Sequence, residues 1–161
     1  MIGSHIDTVG NAGPLDGVYG VLAGLTVLHA FRAVGVLPPR PLIVTAFTNE
    51  EGVRYQPDMM GSLVYAGGCP LEKALDTRGM DGSRLGDELE RIGYAGTVPP
   101  GHVTPFAYLE LHVEQGPALD HDKVQIGVVT GVQGICWREV TVQGAANHAG
   151  TTPTALRHDA G

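Results

Sequence analysis

Residues 41–47 read PLIVTAF, and residues 48–52, which follow directly, read TNEEG. The first stretch is a nearly continuous apolar run, which is typical of a strand buried on both faces of a parallel sheet. The second stretch is polar and predicts a loop. Open α/β sheets bind their ligands at the carboxyl ends of such strands. Glu50 and Glu51 lie in the loop directly after this strand and are therefore candidate functional residues.

A helix and an earlier strand are predicted before this junction. Apolar residues recur at spacings of three and four over residues 16–34, which indicates a helix with one apolar stripe. Asp16 stands where an N-cap residue belongs. Residues 1–5, MIGSH, resemble the end of a core strand. Strand, helix and strand together predict a βαβ unit.

Three glycines, Gly17, Gly20 and Gly24, lie within the predicted helix. A glycine inside a helix costs up to about 1 kcal/mol relative to alanine. Such a cost is tolerable where one face of the helix must approach a sheet closely.

The rest of the chain predicts shorter elements. Helical patches are expected near residues 59–66, 71–75 and 84–92, and strands at residues 107–113, 125–129 and 135–142. Gly131 and Gly134 separate the last two strands and mark a candidate domain boundary. We therefore predict a partial catalytic domain over residues 1–131 and the beginning of a second domain over residues 132–161.

Composition excludes several classes of function. The chain has 161 residues, a formal net charge of −7 and only ten scattered basic residues, which argues against nucleic-acid binding. No apolar run approaches the roughly 20 residues that span a bilayer, and no secretion signal is evident, so no membrane partner is expected. Cys69 and Cys136 lie far apart, which favours free thiols in the cytoplasm. The chain opens at the end of a strand and stops early in a helix, so we expect a fragment.

Acids and histidines gather at three predicted strand ends. They are His5, Asp7, Asp16, Glu50, Glu51, His112 and Glu114. Each alone has an ordinary alternative: Asp16 can cap its helix, paired glutamates often lie on a solvated surface, and a strand histidine is often a core residue. Together they predict a metal site, because histidine and carboxylate suit zinc, manganese and related ions.

Five motifs carry a resemblance to a known family. GSHIDT at residues 3–8, LDG at 15–17 and TNEEG at 48–52 resemble the metal-site motifs of the M20 metallopeptidase superfamily. ELHVEQGP at residues 110–117 and NHAGTTP at 147–153 resemble one branch of it. That branch contains the N-carbamoyl-L-amino acid hydrolases, β-ureidopropionase and allantoate amidohydrolase.

The resemblance implies an α/β fold. It implies a zinc-peptidase-like three-layer catalytic domain, incomplete in this chain, followed by the start of an α+β lid or dimerisation domain. It also implies a small-molecule substrate and a homodimer of the full-length protein.

The resemblance further implies two divalent metal ions, Zn²⁺ or Mn²⁺, with Co²⁺ or Ni²⁺ as possible substitutes. Asp16 would bridge the ions, and His5 and His112 would complete the first site. Glu51 would bind the second ion. Asp7 would accept the other N–H of the His5 ring and fix its tautomer.

The remaining roles implied by the resemblance concern catalysis. Glu50 would be the general base acting on a metal-activated water. His148 would stabilise the developing oxyanion in the active site of the dimer partner. Gln115 and Asn147 would orient the substrate, with ordinary loop hydrogen bonding as their alternative.

We therefore expect a metal-dependent amidohydrolase that cleaves the C–N bond of an N-carbamoyl amino acid or a ureido compound such as allantoate. Two alternatives stay open: an aminopeptidase or dipeptidase of the same superfamily, and a truncated, inactive remnant. A histidine at position 112, where the peptidases more often place a carboxylate, favours the amidohydrolase. The second ion should also have a C-terminal histidine, in a Gly-His-Asp-Ala setting, which the chain lacks. We therefore expect these residues alone to be inactive.

Overall fold

A computed structural model describes residues 1–11 and 13–160. In chain order its elements are β1 (Ile2–His5), α1 (Val18–Ala33), β2 (Val44–Phe47), α2 (Met60–Tyr65), α3 (Leu71–Leu75), α4 (Leu85–Arg91), α5 (Ala118–Asp122) and a single 3₁₀ turn at Thr154–Leu156. The chain divides into two compact units, Met1–Lys123 and Val124–Gly161. Within the described ranges, every helix is too short or too polar to cross a membrane.

The first unit is built on a βαβ arrangement. β1 and β2 pair in parallel, from Ile2 opposite Val44 to His5 opposite Phe47, and α1 forms the connection between them. This confirms the predicted α/β pattern with a small parallel sheet. Because both strands end at the same edge, the segment after His5 and the loop after Phe47 leave the sheet side by side.

Helix α1 begins and ends differently from the prediction. Gly17 is its N-cap residue and makes no side-chain bond, so the prediction that Asp16 caps the helix is wrong. The Asp16 carboxylate is instead turned into a buried cluster at the edge of the sheet. At the other end Gly35 has a φ of 65°, and the Val36 N–H reaches the Phe31 carbonyl at 3.2 Å. This left-handed glycine ends the helix before the prolines do.

The predicted close approach of α1 to the sheet is confirmed at Gly20. A Cβ atom there would lie 2.5 Å from the Leu111 carbonyl oxygen and 2.8 Å from the Ser4 Cβ. Neither neighbour is the end of a flexible side chain. The helix therefore needs glycine at this position in order to pack where it does.

The loop after β2 closes on itself. The buried Asn49 side chain donates to the carbonyls of Tyr55 at 2.8 Å and Pro57 at 3.3 Å. The Met59 N–H reaches the Glu50 carbonyl at 2.6 Å. Tyr55 in turn belongs to the small apolar core, with Met60, Ala74 and Leu85. The backbone of residues 49–51 is thus fixed from both ends.

A full strand over residues 107–113 is not formed. The segment makes one parallel bridge, between Ile2 and Leu109. The Gly3 N–H of β1 donates to the Leu109 carbonyl at 3.2 Å, and the Leu109 N–H donates to the carbonyl of Met1, the residue before β1, at 3.1 Å. The Tyr108 hydroxyl oxygen lies 3.1 Å from the Gly3 carbonyl oxygen, so a side chain occupies the next position of the ladder.

The second unit contains neither of its predicted strands. Residues 125–129 and 135–142 have no ladder partner in the described part of the chain. Their apolar side chains are exposed, for example Val128 at 84% and Val140 at 79%, so burial does not stabilise an extended conformation there. The three-layer catalytic domain, the α+β lid fold and a boundary between residues 131 and 132 stay predictions.

Two alanine substitutions test the helix–sheet contact. We expect Gly20→Ala to destabilise the chain by about 1–3 kcal/mol, because a backbone carbonyl must move to admit the methyl group. In Gly24→Ala the new Cβ meets the Val44 methyl groups at 3.2 Å. We expect that variant to be near neutral, because alanine's better helix propensity, up to about 1 kcal/mol, offsets the tight contact. Urea unfolding of both variants measures the difference, and equal midpoints would contradict the assigned contact.

Candidate metal centre

Two imidazole rings face each other beyond the end of β1. The Nδ1 atoms of His5 and His112 lie 2.8 Å from the backbone carbonyls of Asp7 and Val113 respectively. A carbonyl only accepts, so each Nδ1 carries a proton, and the corresponding neutral tautomer has its lone pair at Nε2. The two Nε2 atoms lie 3.5 Å apart. Two acceptors this close require a cation or a proton between them.

Asp16 adds a carboxylate to the same point. It is 4% exposed, and its Oδ1 lies 3.5 Å from the His112 Nε2. Its Oδ2 is buried and has no hydrogen-bond partner among the described residues. Leaving such an atom unsatisfied costs about 1–3 kcal/mol, and more when the group is charged. A divalent cation would satisfy this oxygen and both imidazoles together, so the donor set fits a metal ion.

A second group of donors shares His5. Ligand atoms of His5, Glu50 and Glu51 lie within 4.8 Å of one another, as do those of His5, Asp16 and His112. The His5 Nε2 is 3.4 Å from the Glu50 Oε2. The structure thus groups Glu51 with His5 and Glu50, whereas the resemblance implied that Glu51, the bridging Asp16 and a C-terminal histidine would bind the second ion.

The pKa values of both glutamates are raised in this crowded cluster. Burial is the main cause that raises the pKa of Glu50, while His5 opposes it. Burial and the neighbouring Asp16 carboxylate raise the pKa of Glu51 to about 6. Crowded carboxylates disfavour their own ionised forms, and a bound cation reverses that effect.

Asp7 makes contacts that the sequence did not predict. Its backbone carbonyl, at 2.8 Å, is the close partner of the His5 ring, while its carboxylate Oδ1 is 3.6 Å from the same nitrogen. The carboxylate accepts the backbone N–H groups of Glu50 at 3.3 Å and Glu51 at 3.1 Å. It therefore ties the residues after β1 to the residues after β2.

The three other predicted site residues are divided between the units. Gln115 lies in the first unit, where its Nε2 donates to the Asp16 Oδ1 at 2.7 Å. Asn147 and His148 lie in the second unit with local contacts. The Asn147 amide donates to the Ala145 carbonyl at 2.7 Å, and the His148 Nδ1 accepts the Gly150 N–H at 3.1 Å.

Two residues beside the centre were missed by the sequence reasoning. Ser4, which is 2% exposed, donates its hydroxyl to the Glu110 carboxylate. Glu110 also accepts the Tyr108 hydroxyl at 2.7 Å. The available signal was spacing: Ser4 directly precedes His5, and Glu110 precedes His112 by two positions.

Comparison with known proteins identifies the family of the chain. The family described as Peptidase family M20/M25/M40 matches residues 1–159. An N-carbamoyl-L-amino-acid amidohydrolase of Rhizobium meliloti is 45% identical over 99% of this chain, and an allantoate deiminase of Arabidopsis thaliana is 37% identical over 99%. The crystal structure of a hydantoinase/carbamoylase family amidase from Burkholderia ambifaria matches 99% of the chain with a TM-score of 0.78 and 43% identity.

The fold and the donor set define a metal centre at the edge of an α/β sheet. The chain belongs to Peptidase family M20/M25/M40, in its hydantoinase/carbamoylase branch. Membership of this family implies dependence on metal ions. The chain spans 38% of the Rhizobium relative, 32% of the Arabidopsis relative and 39% of the Burkholderia structure.

The role of the Asp7 carboxylate can be tested by Asp7→Asn. Asparagine keeps one acceptor oxygen, which can serve only one of the two backbone N–H groups. Its NH₂ group would face the other N–H, and two donors cannot form a hydrogen bond. We expect about tenfold weaker Zn²⁺ binding, the range seen when a group that supports metal ligands is lost. Isothermal titration measures this change. Asp120→Asn removes the same charge from a side chain that is 92% exposed and should leave the affinity unchanged. Equal affinities of the wild type and Asp7→Asn would contradict the assigned role.

Proposed function

We propose that this chain carries most of the metal-binding part of an amidohydrolase that cleaves the C–N bond of an N-carbamoyl amino acid or a related ureido compound. The observation that carries the proposal is the convergence of the His5 and His112 Nε2 atoms with the unpartnered Asp16 Oδ2. The names of the similar proteins, amidohydrolases and allantoate deiminases, indicate the substrate class.

Two divalent ions are proposed, Zn²⁺ or Mn²⁺, with Co²⁺ or Ni²⁺ as substitutes. His5, Asp16 and His112 would hold the first, and Glu51 with Asp16 would contribute to the second. Such ions supply Lewis acidity, which polarises a carbonyl group and lowers the pKa of water.

Glu50 is proposed as the general base. Its carboxylate Oε2 lies 3.4 Å from the His5 Nε2, which would place it within reach of a water molecule at the metal centre. It would take a proton from water as the water oxygen bonds to the carbamoyl carbon. It would then deliver that proton to the leaving nitrogen as the C–N bond breaks. One water molecule is consumed, and the products are the free amine and carbamic acid, which breaks down to carbon dioxide and ammonia.

Residues of the second unit are proposed to act on the substrate. His148 would stabilise the developing oxyanion in a homodimer partner, and Asn147 would orient the substrate. Gln115 would do the same from the first unit, after releasing its present bond to Asp16. A small-molecule substrate and a cytoplasmic location complete the proposal.

The two proposed ions have unequal sets of ligands in this chain. His5, Asp16 and His112 supply three donors to one ion, which is enough for a zinc site with an open position. The second group shares His5 and adds only carboxylates. We therefore propose that residues 1–161 alone bind one ion tightly, and that turnover belongs to the protein encoded by the full open reading frame.

Metal titration tests the first part of this proposal. We expect about one tightly bound Zn²⁺ per chain, and His112→Ala should weaken it at least tenfold because one of three ligands is lost. The control is His121→Ala, since that imidazole is 86% exposed and lies on α5 away from the cluster. Elemental analysis after gel filtration, together with isothermal titration, measures both quantities. Two tight ions per chain, or an unchanged His112→Ala variant, would contradict the proposal.

Substrate assays of the protein from the full open reading frame test the reaction. We expect amino-acid release from N-carbamoyl-L-amino acids or ammonia release from allantoate, and little turnover of dipeptides. Glu50→Gln should lower kcat at least about 100-fold while Zn²⁺ content is kept, because proton transfer is lost. Cleavage of dipeptides alone would favour a peptidase. A full-length protein with metal but no turnover of any of these compounds would favour an inactive remnant.

A further inference from the structure

The segment that carries His112 is only partly held to β1 by its backbone. Leu109 makes one backbone bond to Gly3 of β1 and one to Met1, the residue before β1. In the described structure no backbone bond joins residues 110–113 to β1, and the Tyr108 hydroxyl oxygen lies 3.1 Å from the Gly3 carbonyl oxygen, beside the acceptor that the ladder would use next. The ladder therefore stops three positions before His112.

A side-chain link continues where the ladder stops. The Glu110 carboxylate accepts the Ser4 hydroxyl on Oε1 and the Tyr108 hydroxyl on Oε2, the latter at 2.7 Å. Ser4 is 2% exposed and belongs to β1, so its hydroxyl is anchored on the sheet. The link joins the residue before His5 to the residue two positions before His112.

Other contacts of this segment do not fix its alignment with β1. The bond from the Gln115 amide to the Asp16 Oδ1 at 2.7 Å ties the segment to the residues before α1 and not to β1. The Nδ1 bond of His112 goes to Val113, the next residue, and orients the ring only relative to its own backbone. Gly20 on α1 lies against the Leu111 carbonyl, which limits how far the segment can move outward. Gly20 has no side chain, so contact with it does not fix the position of the segment along β1. The hydrogen bond between Ser4 and Glu110 does fix that position.

We infer that Glu110 is a positioning residue, which acts through Ser4 to hold the His112 ring opposite the His5 ring. The inference rests on the metal centre of the proposed function. Glu110 suits this role because a carboxylate accepts two hydroxyl donors at once. Neither oxygen is proposed to touch an ion or the substrate.

The test is a double-mutant cycle on Zn²⁺ affinity, with Co²⁺ absorption as a second readout of the ligand geometry. Glu110→Ala and Ser4→Ala should each weaken Zn²⁺ binding about tenfold, the lower end of the effect of losing a supporting group. The double variant should be no weaker than either single variant, because both remove the same bond. Glu110→Gln keeps an acceptor for Ser4 and should stay within about threefold of the wild type. Glu90→Ala, which removes an exposed charge on α4, is the matched control.

Each outcome bears on a different part of the inference. Equal losses in Glu110→Gln and Glu110→Ala would assign the effect to charge and overturn the positioning role. Additive losses in the double variant, or an unchanged Glu110→Ala, would overturn it as well. If His5→Ala and His112→Ala also bind Zn²⁺ as tightly as the wild type, the proposed metal centre is contradicted. The inference, which rests on that centre, is then overturned as well. We expect the Co²⁺ spectrum of Glu110→Gln, but not that of Glu110→Ala, to match the spectrum of the wild type. This result would support the inference, because general destabilisation would not produce different spectra in the two variants.

Discussion

The parallel pairing of β1 with β2 is the constraint on which the rest of the first unit depends. The register that sets His5 opposite Phe47 places the residues after both strands at one edge of the sheet. A shift of one residue would turn every side chain of β1 to the other face. His5 would then leave the cluster, and the Asp7 carboxylate could not reach the N–H groups of Glu50 and Glu51. The short sheet thus decides where the donors meet.

The metal centre also shows why polar groups are tolerated at this edge. His5 and Asp16 are among the most buried polar residues of the chain, at 2% and 4% exposure. Burying a carboxylate without a partner opposes folding, so the first unit gives up stability at the point where it gains the capacity to bind a cation. The small apolar core around Tyr55 and Met60 fixes the loop that carries the glutamates.

Much of this arrangement could be predicted from the sequence, because it follows local patterns. The apolar run at residues 41–47 and the stripe on α1 predict the βαβ unit, and the strand ends locate the candidate donors. The exceptions are residues whose roles depend on distant partners. Asp16 has the sequence context of an N-cap, yet its carboxylate faces a histidine 96 positions later. Residues 107–113 have the pattern of a strand, but the Tyr108 hydroxyl lies against the Gly3 carbonyl that the ladder would need. The Ser4–Glu110 link spans 106 positions and leaves no local signature.

The sequence distance between the two imidazoles has a consequence for how the chain is made. His5 and His112 are separated by 107 positions. At a synthesis rate of about 5–20 residues per second, the ribosome needs roughly 5–20 s to add the intervening residues. During that interval the nascent chain gains Asp16 and then the two glutamates, but it lacks the ring that completes the first set of donors. Loading with the correct ion is therefore a late event of biogenesis, and the metals available in the cell during those seconds meet an unfinished site.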